Sequence, residues 1–170
     1  ANGGAEVPGG GLHAILSADG RYVAFMSQDP ALKGPGNETN QAIDVYRHDL
    51  VTGATIRVSE PSGGGNPDTD VVFGMLAISA DGRDVAFTSF ATNLLGPGGD
   101  SNGGPDAFVH DTVANTTERV NVAFGGGESA PLADVDQIAM SDDGRFVAFV
   151  SAASDLLPPG EDTNGVADVF

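Results

Sequence analysis

Cysteine is absent from the 170-residue chain, which excludes a disulfide framework and a thiolate metal site. Cations are scarce. Seven Lys and Arg face 24 Asp and Glu, for a formal net charge of -17. Binding a nucleic acid backbone requires cationic side chains that release counterions, so that class of partner is excluded. No stretch approaches the roughly 18 consecutive apolar residues of a membrane-spanning helix, and no basic, apolar leader opens the sequence, so membrane insertion is not expected. The acidic balance suits hard cations, solubility or cationic partners.

Against those absences stands one stretch that occurs three times. Ser17-Ala18-Asp19-Gly20-Arg21-Tyr22-Val23-Ala24-Phe25-Met26-Ser27 returns as Ser79 to Ser89 and again as Ser141 to Ser151, each copy 62 residues after the last. Self-similarity at a fixed period marks units that bury their apolar surface against copies of themselves. The period divides the chain into 1–62, 63–124 and a partial unit 125–170, about 2.75 units. A unit that stops in mid-strand leaves open sheet edges, which are normally paired or covered. The chain is therefore expected to be either a piece of a longer one or a subunit completed by its neighbours.

Each unit reads as four strands. In the second, Val71 to Ser79 is mostly apolar, and Asp81-Gly82 supplies a two-residue hairpin turn with positive φ expected at both positions. Asp84 to Ser89 follows with Val85, Ala86 and Phe87 side by side, a pattern without alternation that predicts burial on both faces. A long loop, Ala91 to Pro105, leads to a third strand from Asp106 to Val113, then the turn Ala114-Asn115 and a fourth strand from Thr116 to Val122. The first unit repeats this with Asp44 to Leu50, the turn Thr52-Gly53, and Ala54 to Ser59. Four short antiparallel strands per unit, with the inner ones buried, describe an all-β protein of β-propeller-type blades.

The residues also carry a resemblance. Ser-x-Asp-Gly-Arg-x-Val-Ala-Phe-x-Ser, then Asn93-Leu94-Leu95, then Asp100-Ser101-Asn102-Gly103-Gly104-Pro105-Asp106-Ala107-Phe108-Val109-His110-Asp111, with the turn Asp49-Leu50-Val51-Thr52-Gly53, resembles the TolB-like branch of the WD40-like β-propeller repeats. The likeness covers all three units and implies a propeller fold. For function it implies a scaffold, a protein-binding platform or a non-catalytic lid of a peptidase. The chain departs from the family in one respect, because fewer than three blades do not close the usual ring.

A second repeated element lies in the long loop. Asp100-x-Asn102-x-x-x-Asp106 matches Glu38-x-Asn40-x-x-x-Asp44 and Asp162-x-Asn164-x-x-x-Asp168. Oxygen ligands at positions 1, 3 and 7 of a glycine-rich loop suit Ca²⁺, with carbonyls near Ala42, Gly104 and Val166 filling a further position. Zinc is not expected, since no His or Cys joins the set. Asp49 and Asp111 stand at position 12, as in an EF-hand, yet the extended strand between carries the chain roughly 16 Å away. The bland alternative is that these Asp and Asn residues only hold turns.

The remaining candidates read as structural. His48 and His110 share one repeat position and are expected to make surface or inter-blade hydrogen bonds. Arg21, Arg83 and Arg145 are expected to pair with Asp19, Asp81 and Asp143 or with an adjacent blade. Asp134 and Asp136, unrepeated, read as solvated surface, and His13 has no counterpart. Asn37 and Asn115 begin N-glycosylation sequons. No Gly-x-Ser-x-Gly turn and no Cys offers a nucleophile, so no catalysis is expected. The sequence thus describes an extracellular, cell-surface or periplasmic calcium-binding repeat module with a structural, scaffolding or protein- or glycan-binding role. Two alternatives are a filament or ring built from copies of itself and the non-catalytic propeller of a larger hydrolase.

Overall fold

The computed structural model describes residues 11–33, 42–130 and 137–170. Glu38, Asn40, Asn37, Asp134 and Asp136 lie outside the described residues. Among the described residues eleven strands run in chain order: β1 Leu12–Leu16, β2 Tyr22–Ser27, β3 Asp44–Asp49, β4 Thr55–Arg57, β5 Val71–Ile78, β6 Asp84–Ser89, β7 Asp106–Asp111, β8 Thr116–Arg119, β9 Ile138–Met140, β10 Val147–Ser151 and β11 Asp168–Val169. They form three antiparallel sheets, β1-β2-β3-β4, β5-β6-β7-β8 and β9-β10-β11, each strand bonded to its sequence neighbour. The fold is all-β, with four-stranded meanders as blades. The outer strands are shorter than their sequence pattern suggests, because β4 and β8 stop at Arg57 and Arg119.

The registers repeat with the sequence. Phe25 pairs with Tyr46 and Phe87 with Phe108 across the second and third strands of their blades. Their rings stack with centroids 5.7 and 5.8 Å apart, and Phe149 meets Phe170 at 6.0 Å in the third blade. Such offset aromatic pairs add about 0.5–1.5 kcal/mol beyond the area they bury.

Blades pack through their inner strands, with β1 against β5 and β5 against β9. The main core lies between the first two blades and includes Met26, Val45, Val58, Val85, Phe87, Leu94 and Phe108. Burial on both faces holds for β6, whose residues from Val85 to Ser89 are all buried, because blades flank it on each side. The equivalents β2 and β10 are only partly buried. A blade's second strand loses water on both faces only when it has two neighbours.

The hairpin between first and second strands differs from the expected turn. Ser79 N–H donates to Asp84 O at 2.9 Å, and Gly82 N–H donates back to Ser79 O at 3.0 Å. This closes a four-residue loop built on a β-turn, in which glycine alone is left-handed: Gly20, Gly82 and Gly144 have φ of 72°, 71° and 72°. Asp81 instead works through its side chain, whose Oδ1 accepts Ser79 Oγ–H at 2.8 Å and Arg83 N–H at 3.0 Å. The same bonds hold Asp19 and Asp143.

With the aspartate so engaged, Arg21 and Arg83 pair elsewhere. Arg21 forms a fork with Asp49 at the end of β3, Nε to Oδ1 at 3.2 Å and Nη2 to Oδ2 at 2.8 Å. Arg83 does the same with Asp111. Arg145 lies 4.0 Å from Asp143 and 5.4 Å over the ring of Phe146. The clasp ties the inner hairpin to the third strand within one blade. The guanidinium holds Asp49 and Asp111 well below the usual carboxylate range.

Candidate metal centre

The long loop of the second blade folds its acids inward. Asp106 opens β7 and is fully buried, and Asp100 is buried beside it. Asn102 holds them in place: its Oδ1 accepts Gly104 N–H at 2.9 Å, while its Nδ2 donates to Asp106 Oδ1 at 3.1 Å and to Ser129 O at 3.1 Å. The amide therefore presents its donor to Asp106. The third blade repeats the arrangement, with Asn164 Nδ2 on Asp168 at 3.1 Å and Oδ1 receiving Val166 N–H at 3.0 Å. Asp162 Oδ1 is buried there without a hydrogen-bond partner. In the first blade Asp44 Oδ1 accepts Ser59 Oγ–H at 2.7 Å.

Two residues that the repeat pattern did not single out complete the cluster. Glu128, in the connector to the third blade, brings its carboxylate to Asp100 and Asp106, so that one oxygen from each lies within 4.8 Å of the others. Glu128 also accepts Ser101 N–H at 2.8 Å and Asn102 N–H at 3.2 Å, which pins the loop of one blade to the connector of the next. Arg119, at the end of β8, crosses from the other side. Its guanidinium lies 3.2 Å from Asp106, 3.1 Å from Glu128 and 3.7 Å from Asp100. The ring of Phe108 lies under it at 6.0 Å.

Three carboxylates therefore face one guanidinium. Burial pushes the Asp100 carboxyl up to about 6, helped by its hydrogen-bonded contact with Glu128, while bonds from Ser101 hold Glu128 down. Asp100 Oδ2 is buried with no hydrogen-bond partner. Oxygens up to 4.8 Å apart fit opposite sides of a calcium ion, which holds ligands at about 2.3–2.6 Å. The residues fit a hard cation, and Arg119 holds a cation's place among them.

The signal for Arg119 was present in the sequence. Arg57 and Arg119 share a repeat position, but Glu128 answers to Asn66. In the first blade Arg57 Nη1 accordingly donates to Asn66 Oδ1 at 2.7 Å.

The histidines make hydrogen bonds within their own blades. His48 Nδ1 lies 2.8 Å from Thr55 Oγ1, and His110 Nδ1 lies 2.9 Å from Thr117 Oγ1, across the third and fourth strands. His110 is buried, which lowers its proton affinity. His110 lines a cavity of about 370 Å³ with Glu60, Ser62 and Asn115.

No protein-family model matches the chain, and no curated protein does. Solved structures do. The β-propeller domain of the Trilobed protease from Pyrococcus furiosus is similar over 84% of this chain and 33% of its own length, at 15% identity and a TM-score of 0.51. The fold is a β-propeller. Dipeptidyl peptidase 4 from Porphyromonas gingivalis is similar over 83% of this chain and 22% of its own, at 16% identity and a TM-score of 0.51. A TolB from Agrobacterium tumefaciens covers 90% of this chain and 41% of its own, at 18% identity and a TM-score of 0.43. At these identities the likeness shows the fold alone, and this propeller-type chain spans a third or less of the first two proteins. No helix among its described residues is long and apolar enough to cross a membrane.

Proposed function

We propose that the chain is a calcium-stabilised β-propeller repeat module that works outside the cytoplasm as a scaffold or as a platform for a protein or glycan. The observation that carries the calcium reading is the convergence of Asp100, Asp106 and Glu128, with Asp100 Oδ2 buried and lacking a hydrogen bond. Calcium is held by these three carboxylates and displaces the Arg119 guanidinium, joining the second blade's loop to the third blade's connector. Asp162, Asn164 and Asp168 supply the loop half of the same arrangement, and Glu38, Asn40 and Asp44 hold the matching sequence positions in the first unit. The module does no chemistry of its own.

Isothermal calorimetry with millimolar calcium tests this. The expected result is uptake of calcium with a rise in melting temperature that a chelator reverses, and one ion fewer per chain after Asp100→Ala with Asp106→Ala. Absence of any uptake refutes it.

A second reading is favoured by the similarity to a protease's propeller domain and to a dipeptidyl peptidase: the chain forms the non-catalytic propeller of a larger hydrolase. The intact mass of the denatured native protein separates the two. A covalent mass well above 17.1 kDa, beyond glycans, supports the hydrolase, and a mass near 17.1 kDa removes it.

A further inference from the structure

The cavity beside His110 lies in the middle of the array, between the connector from the first blade to the second and the turn that joins β7 to β8. His110 is a buried part of its wall: the residue is 2% exposed, Nδ1 is engaged with Thr117 Oγ1, and Nε2 is buried without a hydrogen-bond partner. Glu60 adds a half-buried carboxylate that has no ion pair or hydrogen bond among the described residues. Arg57, three residues before it, is taken up instead by Asn66 Oδ1 and Gly65 O.

The polar lining comes from positions at which the units differ. Glu60 and Ser62 stand where the next connector has Val122 and Phe124, and Asn115 and Thr116 stand where the first blade has Gly53 and Ala54. The connector glycines Gly63 and Gly64, by contrast, return as Gly125 and Gly126, and Thr117 answers to Thr55. What shapes the blade is repeated, and what makes the cavity polar is not. Asn115 bears a backbone cost for its place there. Its φ is 54°, in the left-handed region that Gly53 enters freely at 76°. Glycine satisfies that turn in the first blade, so the turn alone does not call for an amide on the cavity wall.

We infer that this cavity receives a basic side chain, lysine or arginine, presented by a partner protein, with Glu60 as its counter-charge and Ser62, Asn115 and Thr116 as oxygen acceptors around it. This rests on the platform role proposed above and selects a protein for it, while calcium takes no part. A volume of about 370 Å³ is at the lower end of small-ligand sites, about 300–1,000 Å³, and gives room for one long side chain. The net charge of -17 draws cations to the whole surface, and the unpaired, half-buried Glu60 gives one of them a partner in partial shelter from solvent. Burial lowers the proton affinity of His110, so its ring stays neutral at neutral pH and does not repel the incoming charge. No aromatic ring among the described residues lines the cavity for a sugar to stack on.

The test is amide NMR of the isotope-labelled chain, free of glycan at the Asn115 sequon, titrated with end-blocked glycine peptides that carry one central lysine, arginine or norleucine. Physiological salt screens surface attraction beyond about 8 Å. The titration is run in chelator and again in millimolar calcium, so a failure of calcium uptake leaves its result untouched. Lysine or arginine is expected to give saturable shifts at Gly63, Gly64, His110 and Thr116, and norleucine none. Glu60→Gln is expected to weaken binding at least tenfold. Asn115→Gly, which installs the first blade's residue, is expected to weaken it without lowering the melting temperature. Shifts spread over the acidic surface that Glu60→Gln leaves unchanged overturn the inference, as does equal binding of the norleucine peptide or no binding at millimolar peptide. N-acetylglucosamine is titrated in parallel. Shifts at these residues from the sugar but not from the peptides overturn the choice of a basic side chain and leave the platform role standing.

Discussion

Removing the Arg119 guanidinium tests the electrostatics of the acid cluster most directly. Its side chain is 6% exposed, and those of Asp106 and Asp100 are 0% and 2% exposed, so Arg119→Ala leaves buried carboxylates without their cation. Breaking a buried pair from one side costs about 3–5 kcal/mol. For a chain of this size each kcal/mol lowers the melting temperature by about 2–4 °C, so a fall of about 6–20 °C is expected in chelator. Calcium should then do more for the variant than for the wild type, because it no longer competes with the guanidinium. At a hundredfold excess over its dissociation constant it would return about 2.7 kcal/mol. Thermal melts of both proteins, with chelator and with millimolar calcium, give all four values. A variant that melts like the wild type in chelator refutes the claim that Arg119 neutralises the cluster. A variant that falls but gains nothing from calcium refutes the competition.

Other expectations follow from packing and charge. Phe87→Ala removes a fully buried ring from the seam between blades and should cost about 3–5 kcal/mol in chemical denaturation. Gly82→Ala should destabilise more than Gly20→Ala, since both pay about 1–2 kcal/mol for a left-handed non-glycine residue and only Gly82 also meets Tyr22. The clasped Asp49 and Asp111 have depressed folded pKa values, so they stabilise the fold fully above the unfolded value of about 3.9 and lose that contribution as pH falls below it. Denaturant midpoints of Arg83→Gln should accordingly converge on the wild type between pH 5 and pH 2; a constant difference across that range would show that the clasp is not ionic.

How much the sequence disclosed follows from what repetition can and cannot encode. The period fixed the blades, and β6 runs from Asp84 to Ser89, the bounds read for it around Val85, Ala86 and Phe87. What escaped was specified by partners distant in sequence. Arg83 stands beside Asp81, yet its partner is Asp111, because Asp81 Oδ1 is already engaged by Ser79 and the Arg83 backbone. Glu128 was invisible as a cluster member because its repeat partner is Asn66, so the periodicity that exposed Asp100 and Asp106 averaged it away. The turn was misjudged at Asp81 for a related reason: an Asp-Gly pair suits more than one loop length, and the Ser79 side chain, not the dipeptide, selects the longer one.

Every device that holds a blade to itself is drawn from its own unit: the Ser-Asp bonds in the hairpin, the Arg21–Asp49 and Arg83–Asp111 clasps, and the stacked rings. The seams are different, since glycine meets tyrosine at one and aspartate at the next. Recombination that moved one unit to another place in the array would therefore leave an intact blade with the wrong neighbour. The order of units is written in part at Tyr22 and Asp84, which give the same hairpin glycine a different partner at successive seams.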